Sequence, residues 1–217
     1  MTHLVLVRHG ETVWHRENRY AGVSDVALTA RGWDQARQLA GWAAAADLSA
    51  VWASDLTRAR LTAQVCAETA GIPLRVDDRL RELDFGDGEG LTAAEMTEQF
   101  PEALHAFRAD PVGRHLPGGE DPTVAAGRFI ACLTEIAAAH PEGRVLVVAH
   151  TTAIRLALCQ LIGVPMREYR RLFPFVRNCA LTELLLRDGQ ASILEFNTPI
   201  DRTSRQAEAP AESTPAQ

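Results

Sequence analysis

The chain has 217 residues with 22 Lys+Arg against 28 Asp+Glu, and its formal net charge of -6 does not favour a protein that coats nucleic acid. The apolar fraction of 47% is ordinary for a globular protein and sufficient for one large domain or two small ones. No apolar run approaches the roughly 20 residues that a membrane-spanning helix needs, and the N-terminus lacks the features of a secretory signal. We therefore expect a cytoplasmic protein without nucleic-acid or membrane partners.

The cysteines are far apart in the sequence and show no C-x-x-C spacing, which argues against a structural zinc site. Each lies among apolar neighbours, a pattern typical of buried free thiols in a reducing compartment. The four are Cys66, Cys132, Cys159 and Cys179.

Apolar strand patterns alternate with helical patterns through most of the chain. Strands are predicted at Leu4–Val7, Ala50–Ser54, Ile72–Val76 and Arg144–His150. Helices are predicted at Leu28–Ala46, from Ser54 or Asp55 as N-cap to Gly71, within Thr92–Arg108, at Thr123–His140 and after His150. This alternation predicts a three-layer α/β/α sandwich with a mostly parallel central sheet.

The C-terminal part of the chain has a different pattern. Two strand patterns, Ala180–Leu186 and Ala191–Phe196, flank "RDGQ", whose Asp188-Gly189 pair is a hairpin signal. We expect an antiparallel hairpin at one edge of the sheet. From Thr203 the sequence contains no bulky apolar residue and is rich in Ala, Pro, Ser and Glu, which is typical of disorder. The prediction is one domain over 1–202 and a disordered tail over 203–217.

Basic side chains follow the predicted strands at the end where ligands bind. Leu4–Val7 leads into Arg8 and His9, and the later strand leads into His150. In open α/β sheets, ligands bind beyond the carboxyl ends of the strands. The strand "AVWA" ends at the same edge and leads into the helix that carries Arg58. The sequence therefore gathers imidazoles and guanidiniums at one edge.

Such a group of cations is unfavourable unless an anion neutralises it. The planar fork of arginine suits phosphate oxygens, and helix N-termini add further donors. Nearby cations also lower the pKa of a histidine, so a histidine beside Arg8 and Arg58 would be neutral and nucleophilic at pH 7. The alternative of a zinc site at His9, His15 and His150 is opposed by the neighbouring arginines, which would repel a dication.

The residues around this edge carry a family resemblance. "LVRHGET" at Leu6–Thr12 resembles the signature of the histidine phosphatase superfamily, which includes the cofactor-dependent phosphoglycerate mutases. Four further blocks resemble the family in the same order. They are "SDLTRARLTA" with Arg58, "RLRELDFGDGEG" with Glu82, "LPGGED", and "VLVVAHTTAIR" with His150. Five ordered blocks are a far more specific match than a lone R-H-G.

The resemblance implies a mechanism without metal or cofactor. His9 would attack phosphorus and become a transient phosphohistidine, while Arg8, Arg58 and His150 hold the phosphoryl oxygens. Glu82 would protonate the leaving alcohol and then activate water. The implied substrate is a small phosphate ester, bound in a pocket that we expect the segments 14–24 and 89–115 to line.

The sequence departs from the family pattern at three substrate-binding positions. His15 stands where the family usually has an asparagine that contacts phosphate, and Ala21-Gly22 replaces a usual Gln-Gly. An N–H of His15 could replace the amide, in which case phosphate affinity would fall as pH rises through its titration. Thr151 stands where glycine is common, and its hydroxyl either contacts phosphate or caps the helix. Gly22 matches the family pattern, and we expect it to bind substrate.

Several functions remain open at this level. The short segment between the Glu82 block and "PGGED" resembles the phosphatase branch, and a phosphoglycerate mutase is the alternative. "RYAGVSDVALTARG" is similar to the corresponding segment of α-ribazole phosphatases. A phosphate-binding module without activity is disfavoured by the complete set of site residues. No pattern fixes the oligomeric state, so a homodimer stays an option.

Overall fold

The computed structural model describes residues 1–187 and 190–200. A six-stranded sheet with the order β3-β2-β4-β1-β5-β6 lies at the centre. The strands are β1 Thr2–Arg8, β2 Ala50–Ala53, β3 Leu74–Val76, β4 Arg144–Ala149, β5 Leu181–Arg187 and β6 Gln190–Thr198. The α-helices are α1 Ala30–Ala45, α2 Thr57–Ala70, α3 Ala93–Gln99, α4 Pro101–Ala109, α5 Pro122–Ala139, α6 Thr151–Leu161 and α7 Tyr169–Leu172.

The sheet is mixed in the way that the sequence predicts. Strands β3, β2, β4 and β1 run parallel to one another, whereas β5 is antiparallel to β1 and β6 is antiparallel to β5. The edge hairpin is therefore confirmed as a strand pair. The predicted Asp188-Gly189 turn between its strands lies outside the described residues.

Alternate residues of the central strands face opposite layers, as the two-residue period of a strand requires. On one face, Leu4 and Leu6 pack in a core that α5 and α6 cover. On the other face, Val5 and Val7 pack in a core that α1 and α2 cover. Because helices cover both faces, the predicted three-layer α/β/α sandwich is confirmed.

Helix α5 is the one described helix that is long and apolar enough to cross a membrane by length and composition. Its inward residues include Phe129, Leu133 and Ile136, all buried in the core that it shares with α6. A core helix of a sandwich meets the same criterion of length and composition, because its sheet-facing side must be apolar.

The start of α2 differs from the sequence prediction. The helix begins at Thr57, and its N-cap is Leu56 without a side-chain cap. Asp55 instead binds the guanidinium of Arg81, and the main-chain N–H of Thr57 donates to Asp25 at 3.1 Å. The proposed Ser54 or Asp55 cap is therefore wrong, because tertiary contacts supply the partners. The predicted end at Gly71 is confirmed, in a left-handed conformation with φ 69°.

The domain boundary at 202 and the disordered tail over 203–217 lie outside the described residues and stay predictions. All six described strands belong to one sheet, in keeping with a single domain.

Candidate active site

The register of the sheet brings the two strand-end histidines together. Arg8 pairs with Ala149 across β1 and β4, so the residues that follow, His9 and His150, leave the sheet side by side. The centroids of their rings are 5.1 Å apart. Both side chains are buried. The predicted meeting of the two histidines at one sheet edge is therefore what the structure shows.

His9 is held in one tautomer by its own backbone neighbour. Its Nδ1 lies 2.7 Å from the carbonyl oxygen of Gly10, and because a carbonyl only accepts, Nδ1 carries the proton. The lone pair is then on Nε2, which faces Nε of Arg58 at 3.2 Å. Burial, followed by the charge of Arg58, lowers the pKa of His9 well below its ordinary value. His9 is thus neutral, with its nucleophilic nitrogen oriented towards a cation.

Arg58 is fully buried and is held by main-chain carbonyls. Its Nη1 donates to Ser24 at 2.7 Å, and its Nη2 donates to Gly22 at 2.5 Å and to Ala21 at 3.3 Å. It forms no ion pair with any carboxylate in the described part of the chain. Burial is also the main cause that lowers its pKa. The guanidinium is therefore fixed in place by main-chain carbonyls, and Glu82, Glu89 and Asp25 stabilise its charge only from beyond ion-pair distance.

Gly22 contributes to the site through its carbonyl group and its lack of a side chain. A Cβ at this position would collide with the Glu89 side chain and with the Leu83 carbonyl. Glycine thus lets the Ala21-Gly22 turn approach the segment that carries Glu82 while it accepts from Arg58. A direct contact of Gly22 with substrate stays a prediction.

His150 is completely buried, and neither of its ring nitrogens has a hydrogen-bond partner among the residues that the structure describes. Buried polar atoms are nearly always paired, so such a pair of nitrogens calls for an explanation. Burial lowers the pKa of His150, and the charges of Arg58 and Arg8 lower it further. A neutral imidazole in this position can donate one N–H to an anion bound between it and His9.

Glu82 is buried at the N-terminus of α6. Its Oε2 accepts from the main-chain N–H of Thr152 at 2.9 Å, and its Oε1 accepts from Ala153 at 2.8 Å and Leu83 at 2.9 Å. The helix dipole favours a carboxylate here. Oε1 has both lone pairs engaged and Oε2 has one, so Oε2 is the oxygen that can take a proton.

Thr151 is the first residue of α6, and the N-cap position belongs to His150, which makes no side-chain cap. The amides of the next two residues are satisfied by Glu82. The alternative in which Thr151 caps the helix is therefore wrong, since a carboxylate from another segment does so. A contact between its hydroxyl group and phosphate stays a prediction.

His15 lies at the site but is not placed as the sequence suggests. Its Nε2 is 2.7 Å from Nη2 of Arg8, and its Nδ1 is 2.8 Å from Oγ1 of Thr12. Burial, followed by the charge of Arg8, lowers the pKa of His15 to about 3. The expectation that His15 titrates and makes phosphate affinity depend on pH is therefore wrong, because the ring is neutral throughout the physiological range.

Two supporting residues were not found from the sequence. Asn178 donates from Nδ2 to the carbonyl oxygen of His9 at 2.7 Å. Arg128 donates to the carbonyl oxygen of Glu82 at 2.9 Å and pairs with Glu120. The available signals were weak: an asparagine just before β5, and an arginine among the alanines of α5. Glu120, in the "PGGED" turn, supports the acid segment through this ion pair with Arg128.

The two segments expected to line the substrate pocket meet through their main chains. Tyr20 and Leu91 share one hydrogen bond, and Gly90 donates back to Tyr20. Phe107, however, is buried in a small core that α3 and α4 form over Phe85, so it supports this region rather than offering its ring to a ligand.

The described residues contain no group of three or more His, Cys, Asp or Glu side chains arranged to hold a metal ion. The chemistry of the site is that of an anion pocket: two neutral imidazoles, a buried guanidinium and a helix N-terminus occupied by a carboxylate. Groups of these kinds can bind phosphate or exchange the proton that moves in phosphoryl transfer.

Comparison with known proteins gives the family. The chain is 33% identical over 169 residues to phosphoserine phosphatase 1 of Hydrogenobacter thermophilus, covering 78% of this chain and 80% of the relative. It is 33% identical over 190 residues to the probable phosphoglycerate mutase GpmB of Salmonella choleraesuis, covering 88% and 87%. Among solved structures, Bacillus stearothermophilus YhfR superposes with a TM-score of 0.86 at 28% identity, covering 93% of this chain and 100% of that one. Residues 4–199 match the model of the histidine phosphatase superfamily (branch 1), and the chain belongs to that family.

Proposed function

We propose that this phosphoric monoester hydrolase acts on a small phosphorylated metabolite without a metal ion, using His9 as the nucleophile. The observation that supports this most strongly is the arrangement of His9: a neutral imidazole whose Nε2 lone pair faces a buried guanidinium. A phosphoryl group bound between His9 and His150 would place its oxygens among cations and its phosphorus before that lone pair.

In the first step a bond forms between Nε2 of His9 and phosphorus while the bond from phosphorus to the ester oxygen breaks. Arg8, Arg58 and His150 stabilise the equatorial oxygens as charge spreads over them. Glu82 enters this step as a carboxylic acid with its proton on Oε2, the oxygen that has a lone pair free of main-chain bonds, and gives that proton to the departing alkoxide. The products of this step are the alcohol and phosphohistidine.

In the second step water attacks the phosphohistidine. Glu82, now a carboxylate, accepts the proton of the water as its oxygen bonds to phosphorus. The bond between phosphorus and Nε2 breaks, which restores neutral His9 and releases phosphate. The Nδ1–H···O=C bond to Gly10 keeps the imidazole oriented in both steps.

The substrate is the finer part of the proposal. The relatives carry the names phosphoserine phosphatase and probable phosphoglycerate mutase, so phosphoserine and the phosphoglycerates are the first candidates. α-Ribazole phosphate follows from the resemblance at residues 19–32. We infer a phosphatase rather than a mutase because the segment between Glu82 and the "PGGED" turn is short. The protein is expected to need no nucleic-acid or membrane partner, and a homodimer stays an option.

A cytoplasmic location also remains part of the proposal. It is supported by the four cysteines, which are free and buried, as is usual in a reducing compartment.

The function is tested by p-nitrophenyl phosphate hydrolysis in the presence of EDTA. We expect turnover that EDTA does not reduce, and a phosphoenzyme that is labile to acid. In His9→Ala both should disappear, whereas His105→Ala, a change at an exposed histidine of α4, should keep both. Normal turnover in His9→Ala would refute the nucleophile assignment. Interconversion of phosphoglycerates with little hydrolysis would favour the mutase. If the protein showed neither activity, a phosphate-binding module would be favoured.

A further inference from the structure

His15 interacts with the guanidinium of Arg8 rather than pointing a donor into the site. Its Nε2 is 2.7 Å from Nη2 of Arg8. The other group near this nitrogen is Nδ2 of Asn178, at 3.5 Å. Arginine has no acceptor atom, and the Asn178 amide is oriented by its bond to the carbonyl oxygen of His9. Within the described part of the chain, both groups that Nε2 of His15 faces are therefore donors.

The partners assign the tautomer of His15. A nitrogen that faces donors must use its lone pair, so the ring proton lies on Nδ1, where Oγ1 of Thr12 at 2.8 Å can accept it. The main-chain N–H of Thr12 points at Nδ1 at 3.0 Å, as in a capping box, and would use Nδ1 as its acceptor. The Nδ1–H tautomer gives up that bond to a neutral amide and instead directs the Nε2 lone pair at the charged Nη2 of Arg8, which is the stronger interaction. The burial of the ring and the nearby Arg8 keep it neutral, with a pKa of about 3.

Arg8 is thereby fixed from two sides. Its Nη1 donates to the carbonyl oxygen of Val176 at 2.9 Å, and its Nη2 binds His15. The main chain of Arg8 is fixed as well, because Cys179 donates its N–H to the Arg8 carbonyl oxygen at 2.8 Å. The end of β1 is thus oriented on one side by the 3₁₀ helix Val13–Glu17, which contains His15, and on the other side by the segment before β5.

We propose that His15 is a positioning residue, which holds Arg8 in the orientation that binds the phosphoryl group, and is not itself a phosphate ligand. The inference rests on the proposed function, in which Arg8 binds phosphoryl oxygens. A planar guanidinium binds phosphate well only in a suitable orientation, so loss of the His15 acceptor weakens phosphate binding through Arg8.

A double-mutant cycle tests this. The single variants Arg8→Met and His15→Ala and the double variant are compared by the dissociation constant of inorganic phosphate, measured by isothermal titration calorimetry. His15→Ala is expected to weaken phosphate binding about 10- to 100-fold, as for a lost hydrogen bond to a charged group. In the Arg8→Met background the same change should matter less than about threefold, because its effect passes through Arg8. Losses that multiply would overturn the proposal and make His15 a ligand.

A second variant covers the case in which His15→Ala does not fold. In His15→Gln the side-chain oxygen can take the place of Nε2 as an acceptor, and phosphate binding is expected to stay within about threefold of the unmodified protein. A loss in folded His15→Gln as large as in His15→Ala would count against positioning. The tautomer is read directly from the imidazole ¹⁵N shifts, and a proton on Nε2 would contradict the assignment.

The two proposals can fail separately. Phosphate binding and the His15 tautomer are measured by isothermal calorimetry and NMR without turnover. If the protein binds phosphate but hydrolyses no ester, the proposed function is wrong. The double-mutant cycle on phosphate binding can still be interpreted in that case. Hydrolysis with additive losses in the cycle would end only the positioning role.

Discussion

The two ends of the central sheet carry the same kinds of residue in opposite electrostatic arrangements. At the N-terminal ends of β1 and β4, Glu183 accepts from Nδ1 of His3 at 2.8 Å and from Arg144 at 2.6 Å. At the C-terminal ends, Glu82 accepts three main-chain amides, whereas Arg58 binds main-chain carbonyls and His9 and forms no ion pair within the described residues. One end neutralises its cation with a carboxylate and the other does not.

The difference shows what marks a functional end of the sheet. A histidine, an arginine and a glutamate are present at both ends, so composition alone does not separate them. Where the carboxylate pairs with the cation, the cluster is complete and serves stability. Where helix amides bind the carboxylate, the guanidinium keeps its charge for a ligand. Burial, followed by the charge of Arg58, lowers the pKa values of His9 and His150. A buried guanidinium that forms no ion pair within the described residues, rather than the residue types present, identifies the site.

The largest effect is expected when the charge of Arg58 is removed. Arg58→Met should lower kcat/KM for p-nitrophenyl phosphate about 10³-fold, since a preorganised donor to the transition state is lost. The folded state should lose about 1–3 kcal/mol, because the main-chain carbonyls of Ser24, Gly22 and Ala21 are left without their donor. Steady-state kinetics and thermal unfolding measure the two effects.

Arg60→Met is the matched control, a partly exposed arginine on the same helix. We expect its kcat/KM to stay within about twofold. A similar loss in both variants would mean that α2 is disturbed as a whole, and that the charge of Arg58 is not the cause.

The next effect concerns the carboxylate that the α6 amides hold. Glu82→Gln should lower kcat about 10²-fold on alkyl phosphates, the usual scale for a general acid. On p-nitrophenyl phosphate, whose leaving group needs little protonation, the loss should be clearly smaller. An equal loss on both substrates would contradict the acid role and leave Glu82 as a cap of α6.

Much of this end of the sheet could be predicted from the sequence, because a buried parallel strand delivers whatever follows it to one edge. That rule placed His9 and His150 together. It could not show that Glu82 is held by the amides of α6, since those atoms are 70 and 71 residues away. The same limit hid Asn178 and the bond between His15 and Arg8, because tertiary contacts decide which way a polar side chain turns.

A smaller effect is expected in the pH dependence of stability. The pKa of His15 is lowered from 6.5 to about 3 in the folded protein, so the unfolded chain binds one proton more between these pH values. Stability therefore falls as pH falls below about 6.5, by about 1.4 kcal/mol per pH unit for this group. His15→Gln should remove that part of the slope in urea unfolding measured from pH 7 to pH 4. An unchanged slope would show that His15 is charged in the fold.

The smallest effect should come from a substitution at the N-terminal ends of β1 and β4, where a carboxylate neutralises the cation. Glu183→Gln leaves Arg144 without its carboxylate but still stacked on Trp42, with 5.2 Å between the guanidinium carbon and the ring centroid. Urea unfolding should show a loss of about 1–2 kcal/mol, the scale of hydrogen bonds to charged groups that are partly exposed. Turnover should not change, because this cluster lies at the opposite end of the strands from His9.

The control is Glu195→Gln on β6, an exposed glutamate, which should change neither stability nor turnover. If Glu183→Gln lowered kcat/KM more than about tenfold while the fold stayed intact, the two ends would be coupled through β1 and β4, and ion pairing alone would no longer separate a functional end of the sheet from a structural one.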